Sequence, residues 1–228
     1  MGLRRSYLDF IQDSVAATLG SLQGREMLEL GNQRIARREG IRERTGKAWF
    51  TQQGARHTSL DFNGKDGAVA LDLSQRIDRP EWRGHFDLIT NPGTTEHVEP
   101  HAAQYECFAN LHDWLKPGGI VIHIVPGIEE LESRGRWKNH CNNYYSARFF
   151  ADLAAANDYE LVASTVLNDL RAACLRKRSD RPFASDRQAL LAGITRREGG
   201  IVYHGIDDPE RRRPVNVARR FLRKLGWR

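Results

Sequence analysis

The sequence predicts a three-layer α/β sandwich around an open, mostly parallel sheet. Two observations carry that expectation. Short apolar runs of strand length alternate with helical repeats along most of the 228 residues. Two of the runs end on acids eleven residues apart, Asp61 and Asp72, in the stretch SLDFNGKDGAVALDLS. Open parallel sheets bind ligands at the carboxyl ends of their strands, where a carboxylate can accept both hydroxyls of a ribose. A second carboxylate nearby can meet an adenine edge, so the pair points to a nucleoside cofactor.

The elements follow in order. Leu8, Ile11, Val15, Ala16 and Leu19 recur at helical spacing and predict a helix over 7–22, with Gly20 as its stop. A first strand over 26–30 leads into Gly31. A short charged helix is expected over 35–44, then an irregular approach over 49–54. The second and third strands are the runs 57–61 and 68–71, before a fourth at 86–90. Asn91-Pro92-Gly93 is a strong turn signal. Tyr105, Phe108, Leu111, Trp114 and Leu115 mark a helix over 101–115, closed by Pro117-Gly118-Gly119. The apolar run 120–125 reads as a buried strand interrupted by His123. A helix over 149–157 and strands over 160–166 and 172–175 complete the alternation. The tail, 186–228, reads as helical at both ends with an extended piece at 200–204.

Composition narrows the class. The length suffices for one domain over 1–228 with a full core and no disulfide or structural metal. Three cysteines without a CxxC pair favour a reducing compartment. The start lacks a signal-peptide core and no run is long enough to span a bilayer, so a soluble cytoplasmic protein is expected, with peripheral membrane contact left open. The net charge of +6 is uneven: from residue 171 onward 16 Lys and Arg face six Asp and Glu. A basic C-terminal extension from about 180 therefore follows a mildly acidic body. The bland reading is a solvated helical edge; the other is docking to an anionic partner.

LELG at 28–31, SLDFNG at 59–64, ALDLS at 70–74, FDLITNPGTTEHV at 86–98 and LKPGGIVIHIVP at 115–126 stand in an order and spacing that resemble class I S-adenosylmethionine-dependent methyltransferases over about residues 20–170. The resemblance implies a Rossmann-like sandwich around a mostly parallel seven-stranded sheet, with S-adenosylmethionine as cofactor. It puts Glu29 and Gly31 in the first cofactor turn, Asp61 at the ribose, Asp72 at the adenine, and Asn91 and Thr94 beside cofactor and acceptor. The chain departs from the family's GxGxG turn, reading Gly31-Asn32-Gln33-Arg34-Ile35. About thirty residues also separate this turn from Asp61, which suggests a rebuilt loop with Trp49 or Phe50 covering part of the site.

His97 follows the fourth strand at the mouth of the expected pocket and is a candidate general base, because an imidazole titrates near neutrality. Its alternative is packing against Glu96. Inside an apolar strand, Glu29 has to face the crevice or find a basic partner. His123 reads as a satisfied core histidine. The polar, aromatic stretch 137–145 reads as an acceptor loop, with His140 a second candidate base and Tyr144 and Tyr145 available to stack on a sugar or ring. His97, His140 and Cys141 match no standard metal-site spacing, so no metal ligand is assigned.

The expected function is methyl transfer to a small-molecule or sugar hydroxyl. Competing readings are a nucleic-acid methyltransferase using the basic tail, a non-catalytic scaffold that kept the fold, and a nicotinamide dehydrogenase, which would need a GxGxxG turn that is missing here.

Overall fold

The computed structural model describes residues 2–203. Helix α1 spans Arg5–Thr18, β1 Glu26–Leu30, α2 Gly46–Gln52, β2 Arg56–Leu60 and β3 Phe86–Pro92. Next come α3 (Gln104–Trp114), β4 (Leu115–Pro126), α4 (Ile128–Arg134), β5 (Asn143–Tyr145) and α5 (Phe149–Ala156). The last elements are β6 (Tyr159–Leu167), β7 (Leu170–Lys177), α6 (Arg187–Ala192) and β8 (Ile194–Arg196).

The main sheet has six strands in the order β2-β1-β3-β4-β7-β6. The pairs β1–β2, β1–β3 and β3–β4 are parallel, whereas β4–β7 and β6–β7 are antiparallel. Strands β5 and β8 form a separate antiparallel pair. The α/β sandwich is therefore as expected, but the sheet is mixed and six-stranded, not a mostly parallel sheet of seven. The run 68–71 accounts for the difference. It makes a single parallel bridge, Leu60 to Val69, in which Val69 N–H donates to Ser59 O (2.8 Å) and Asp61 N–H donates to Val69 O (3.1 Å).

Side-chain alternation splits the core between the two faces of the sheet. Leu28, Leu30, Val121 and Val125 pack with Phe108 and Trp114 of α3 and with Phe149 and Phe150 of α5. Met27, Ile120, Ile122 and Ile124 pack on the other face with Tyr7, Leu8 and Ile11 of α1 and Trp49 and Phe50 of α2.

Two further expectations change. Residues 35–44 hold only the 3₁₀ turn Arg37–Glu39, because the segment doubles back. Ile35 N–H donates to Arg44 O (3.0 Å), and Leu3 N–H donates to Arg34 O (2.9 Å). Of the expected irregular stretch 49–54, residues 49–52 instead belong to helix α2, capped by Thr45, whose hydroxyl accepts the Ala48 N–H at 3.1 Å. Trp49 and Phe50 are buried under the sheet and cover no part of the cleft described below. Among the described residues no helix is long and apolar enough to cross a membrane.

Candidate functional site

The chain leaves β1 toward β2 on one side, and β1 meets β3 on the other, so β1 borders the switch point of the sheet. A cleft of about 450 Å³ opens there, at the carboxyl ends of β1, β2 and β3. Gly31, Asp61, Asp72, Thr94 and His97 all line it, together with Gln33, Phe62 and Ser74. Glu29, Asn91 and His140 do not.

Asp61 ties two of those strand ends together. Its Oδ2 accepts the Asn32 N–H and its Oδ1 the Asn63 N–H, each at 3.0 Å. Each oxygen keeps a further lone pair for a ligand hydroxyl. Asp72 closes its own turn by accepting the Ser74 N–H at 2.9 Å. Gly31 turns the chain with a φ of +77°. A Cβ there would lie 2.6 Å from Gln33 Nε2 and 2.9 Å from Thr94 Oγ1. The turn thus needs glycine for both its angle and its space. Gln33, standing where the family pattern has glycine, folds its amide back to donate to Leu30 O (3.2 Å). Its Oε1 is buried without a partner at the cleft wall. Such an orphaned acceptor suits a ligand donor.

Glu29 points into the opposite layer. It is fully buried, 3.3 Å from His57 Nε2, and burial raises its pKa against the opposing effect of that histidine. Gly46 at the start of α2 makes room for it: a Cβ would lie 1.9 Å from Glu29 Oε1. Glu29 thereby sets how closely α2 seats on the sheet.

Asn91 braces the turn after β3. Its amide donates to Thr95 Oγ1 (2.8 Å) and to His123 Nδ1 (2.9 Å), while its oxygen accepts the Thr94 and Thr95 N–H groups, each at 3.2 Å. These contacts use all its donors. Gln104 donates to Thr95 O (2.8 Å) and Val98 O (2.9 Å). Tyr145 OH lies 2.8 Å from Thr95 Oγ1. Tyr144 OH donates to Trp137 O (2.8 Å). Both tyrosines are buried and neither lines the cleft, so they hold the loop instead of stacking on a ligand. His123 is a fully buried core residue, with burial lowering its pKa to about 3.

This bracing delivers Glu96 and His97 beside His140. Glu96 Oε1 stands 3.7 Å from His97 Nε2 and 3.7 Å from His140 Nε2. Burial lowers the pKa of His97 despite the charge of Glu96, so its imidazole stays neutral to lower pH than a free one. The C-terminal extension completes the wall. Gly200 N–H donates to Asn142 Oδ1 (2.8 Å), Ile201 O lies 3.3 Å from His97 Nδ1, and Tyr203 meets the His97 ring edge-on at 4.7 Å. Val202 and Tyr203 line the cleft.

Sequence reading passed over Gln33 and the 200–203 segment as cleft residues. Only the exchange of glycine for Gln33 gave a signal. The tail residues 206–228, invoked for nucleic-acid docking, lie outside the described residues.

A parallel half-sheet whose strand ends carry a glycine turn and two carboxylates around one cleft is the arrangement at which open α/β sheets hold ligands. A family model described as a methyltransferase domain matches residues 27–164. The chain belongs to that family, and its fold is that of the class I S-adenosylmethionine-dependent methyltransferases. One similar structure is the Burkholderia thailandensis 1,6-didemethyltoxoflavin-N1-methyltransferase with bound 1,6-didemethyltoxoflavin and S-adenosylhomocysteine. It is 18% identical with a TM-score of 0.51, over 78% of this chain and 92% of that one. Another is the N-methyltransferase NodS from Bradyrhizobium japonicum WM9 in complex with S-adenosyl-L-homocysteine, at 16% identity and a TM-score of 0.51, over 77% and 89%. A Pyrococcus horikoshii OT3 protein matches at 13% identity and a TM-score of 0.52, over 76% and 90%. No curated protein matches in sequence.

Proposed function

We propose that the chain methylates a hydroxyl of a small-molecule or sugar acceptor, with S-adenosylmethionine bound along the cleft. The observation that carries the reading is the shared cleft itself, which Asp61, Asp72, the Gly31 turn and His97 all line. When bound, S-adenosylmethionine supplies an activated methyl group on a sulfonium centre.

Asp61 holds the ribose hydroxyls with the lone pairs left by Asn32 and Asn63. Asp72 and Ser74 meet the adenine side, and the Gly31–Gln33 turn with Thr94 holds the amino-acid part. Asn91 and Glu29 act one step back, by bracing the turn after β3 and by seating α2. The protein's own contribution is alignment, exclusion of water and removal of a proton. His97, on the cleft wall, serves the last of these, and His140, off the cleft, packs against its ring. His97 Nδ1 donates its proton to Ile201 O, which leaves Nε2 as the acceptor. A cleft of about 450 Å³ that also has to hold the cofactor leaves room for a compact acceptor, in keeping with the toxoflavin precursor bound by the Burkholderia enzyme. The Burkholderia and Bradyrhizobium enzymes are named as N-methyltransferases; the buried His97 Nε2 here, without a hydrogen-bond partner, favours an acceptor that must lose a proton.

The test is a thermal-shift titration with S-adenosylhomocysteine, followed by assays against panels of hydroxyl and amine acceptors. Wild type is stabilised by the ligand, and His97→Ala keeps that response while losing about 100-fold or more in hydroxyl methylation. Absence of any shift in wild type refutes cofactor binding. Full turnover by His97→Ala between pH 6 and 9 refutes the base.

A further inference from the structure

We infer that Glu96, His97 and His140 bind a divalent first-row transition ion, of the zinc class, at the acceptor end of the cleft. Their ligand atoms, one per residue, all lie within 4.8 Å of one another. Glu96 is fully buried, and neither of its oxygens has a hydrogen-bond donor. The Nε2 atoms of His97 and His140 are buried and equally without a partner. Among the described residues no Lys or Arg pairs with Glu96; its ion-pair contacts are the two imidazoles. Two imidazole nitrogens therefore face one buried carboxylate with no hydrogen bond among them. That arrangement is costly by itself and is relieved by a cation placed among them.

The second contact of His97 supports this. Its Nδ1 lies 3.3 Å from Ile201 O, so the ring proton sits on Nδ1 and the Nε2 lone pair faces inward. Metal-bound histidines have this arrangement, the far nitrogen donating to a backbone carbonyl. The spacing fits as well. Two ligands each about 2.1 Å from a tetrahedral ion stand roughly 3.4 Å apart, against 3.7 Å for each imidazole and Glu96 Oε1. The set as a whole lies within 4.8 Å, so ion binding has to draw the two rings together. Two imidazoles and one carboxylate suit zinc, iron or manganese, and supply too few oxygens for calcium.

Three protein ligands leave coordination positions open. His97 lines the cleft, which sets the cluster against its wall. On the methyl-transfer reading, and resting on it, the acceptor hydroxyl fills one of the open positions. Coordination favours its anion, with the proton released to solvent water. In the ion-loaded protein the two histidines are then ligands and not proton acceptors. The ion site itself needs no assumption about the acceptor.

The experiment uses the full, untagged chain, stripped with a chelator and dialysed against zinc or manganese chloride. Metal content is measured after gel filtration, and melting temperature is measured with and without metal. Wild type should hold about one zinc per chain and melt higher with it. Glu96→Gln and His140→Ala should each lose at least about 10-fold in zinc affinity, with folding checked by circular dichroism. His140 is partly exposed, which keeps that variant foldable, and Glu96→Gln keeps the side chain's size. Zinc content equal in wild type and in a His97→Ala/His140→Ala double variant overturns the site; the cluster then holds only a proton. S-adenosylhomocysteine shifts are recorded on the same samples. A shift with that ligand and no zinc uptake overturns the ion alone. Zinc uptake without that shift supports the ion and overturns the methyl-transfer reading.

Discussion

Asp61 at the end of β2 accepts the backbone N–H of Asn32, in the turn after β1, at 3.0 Å. One carboxylate thus both shapes the glycine turn and faces the cleft that the turn borders. The contact spans 29 positions in sequence. It explains how a turn with one glycine keeps its shape where the family uses three.

Replacing Asp61 by alanine removes two charge-assisted bonds to backbone N–H groups. We expect a loss of about 1–3 kcal/mol in denaturant unfolding and at least about a 10-fold loss in S-adenosylhomocysteine affinity by calorimetry. An unchanged affinity would remove Asp61 from the ribose.

Gly46→Ala puts a methyl group 1.9 Å from Glu29 Oε1, against a carboxylate that His57 holds in place. The expected cost is about 1–3 kcal/mol. Glu29→Ala in the same chain should restore part of it, because the two changes share one space. Simple additivity in the double-mutant cycle would show that the clash is relieved elsewhere.

Gly200→Ala would place a Cβ 2.2 Å from the backbone C and O of Cys141. Backbone cannot yield as a side-chain tip can, so the 197–203 segment should lift from the loop before β5. Ile201 O then leaves His97. Acceptor turnover should fall about 10-fold or more while S-adenosylhomocysteine binding stays near wild type. Loss of both together would instead mean that the segment holds the cofactor end.

His123 makes stability depend on pH. Its pKa is about 3 in the folded protein against 6.5 for a free side chain, so the unfolded chain binds the extra proton between those values. Its contribution to stability is complete above pH 6.5 and declines as pH falls toward 3, by about 1.4 kcal/mol per unit. Urea unfolding of wild type and His123→Gln between pH 4.5 and 7.5 isolates this group. The stability difference should shift in favour of wild type as pH rises; a flat difference would mean that His123 binds its proton equally well in the folded and unfolded chain.

Local pattern made most of the main sheet legible. Residues 26–30 and 86–90 read as strands because each is a short apolar run closed by a turn signal, and both are strands. The turns that end them announce themselves in Gly31 and Asn91-Pro92-Gly93. Where the reading failed, distant contacts had overridden local signals. Residues 35–44 have the charge pattern of a short helix, yet Leu3 and Arg44 draw them into a folded-back loop. Residues 68–71 have the composition of a strand, yet only Val69 reaches β2.

By itself the sequence determined the layered α/β architecture, the family and the acids that close the second and third apolar runs. Those follow from periodicity and turn chemistry, which act within a few residues. Only the tertiary structure decided that Glu29 turns away from the cleft, that Gln33 covers the turn, and that Glu96, His97 and His140 meet. The physical reason is that burial and pairing of polar atoms depend on neighbours dozens of residues away, as Ile201 is from His97, and no local spacing encodes them.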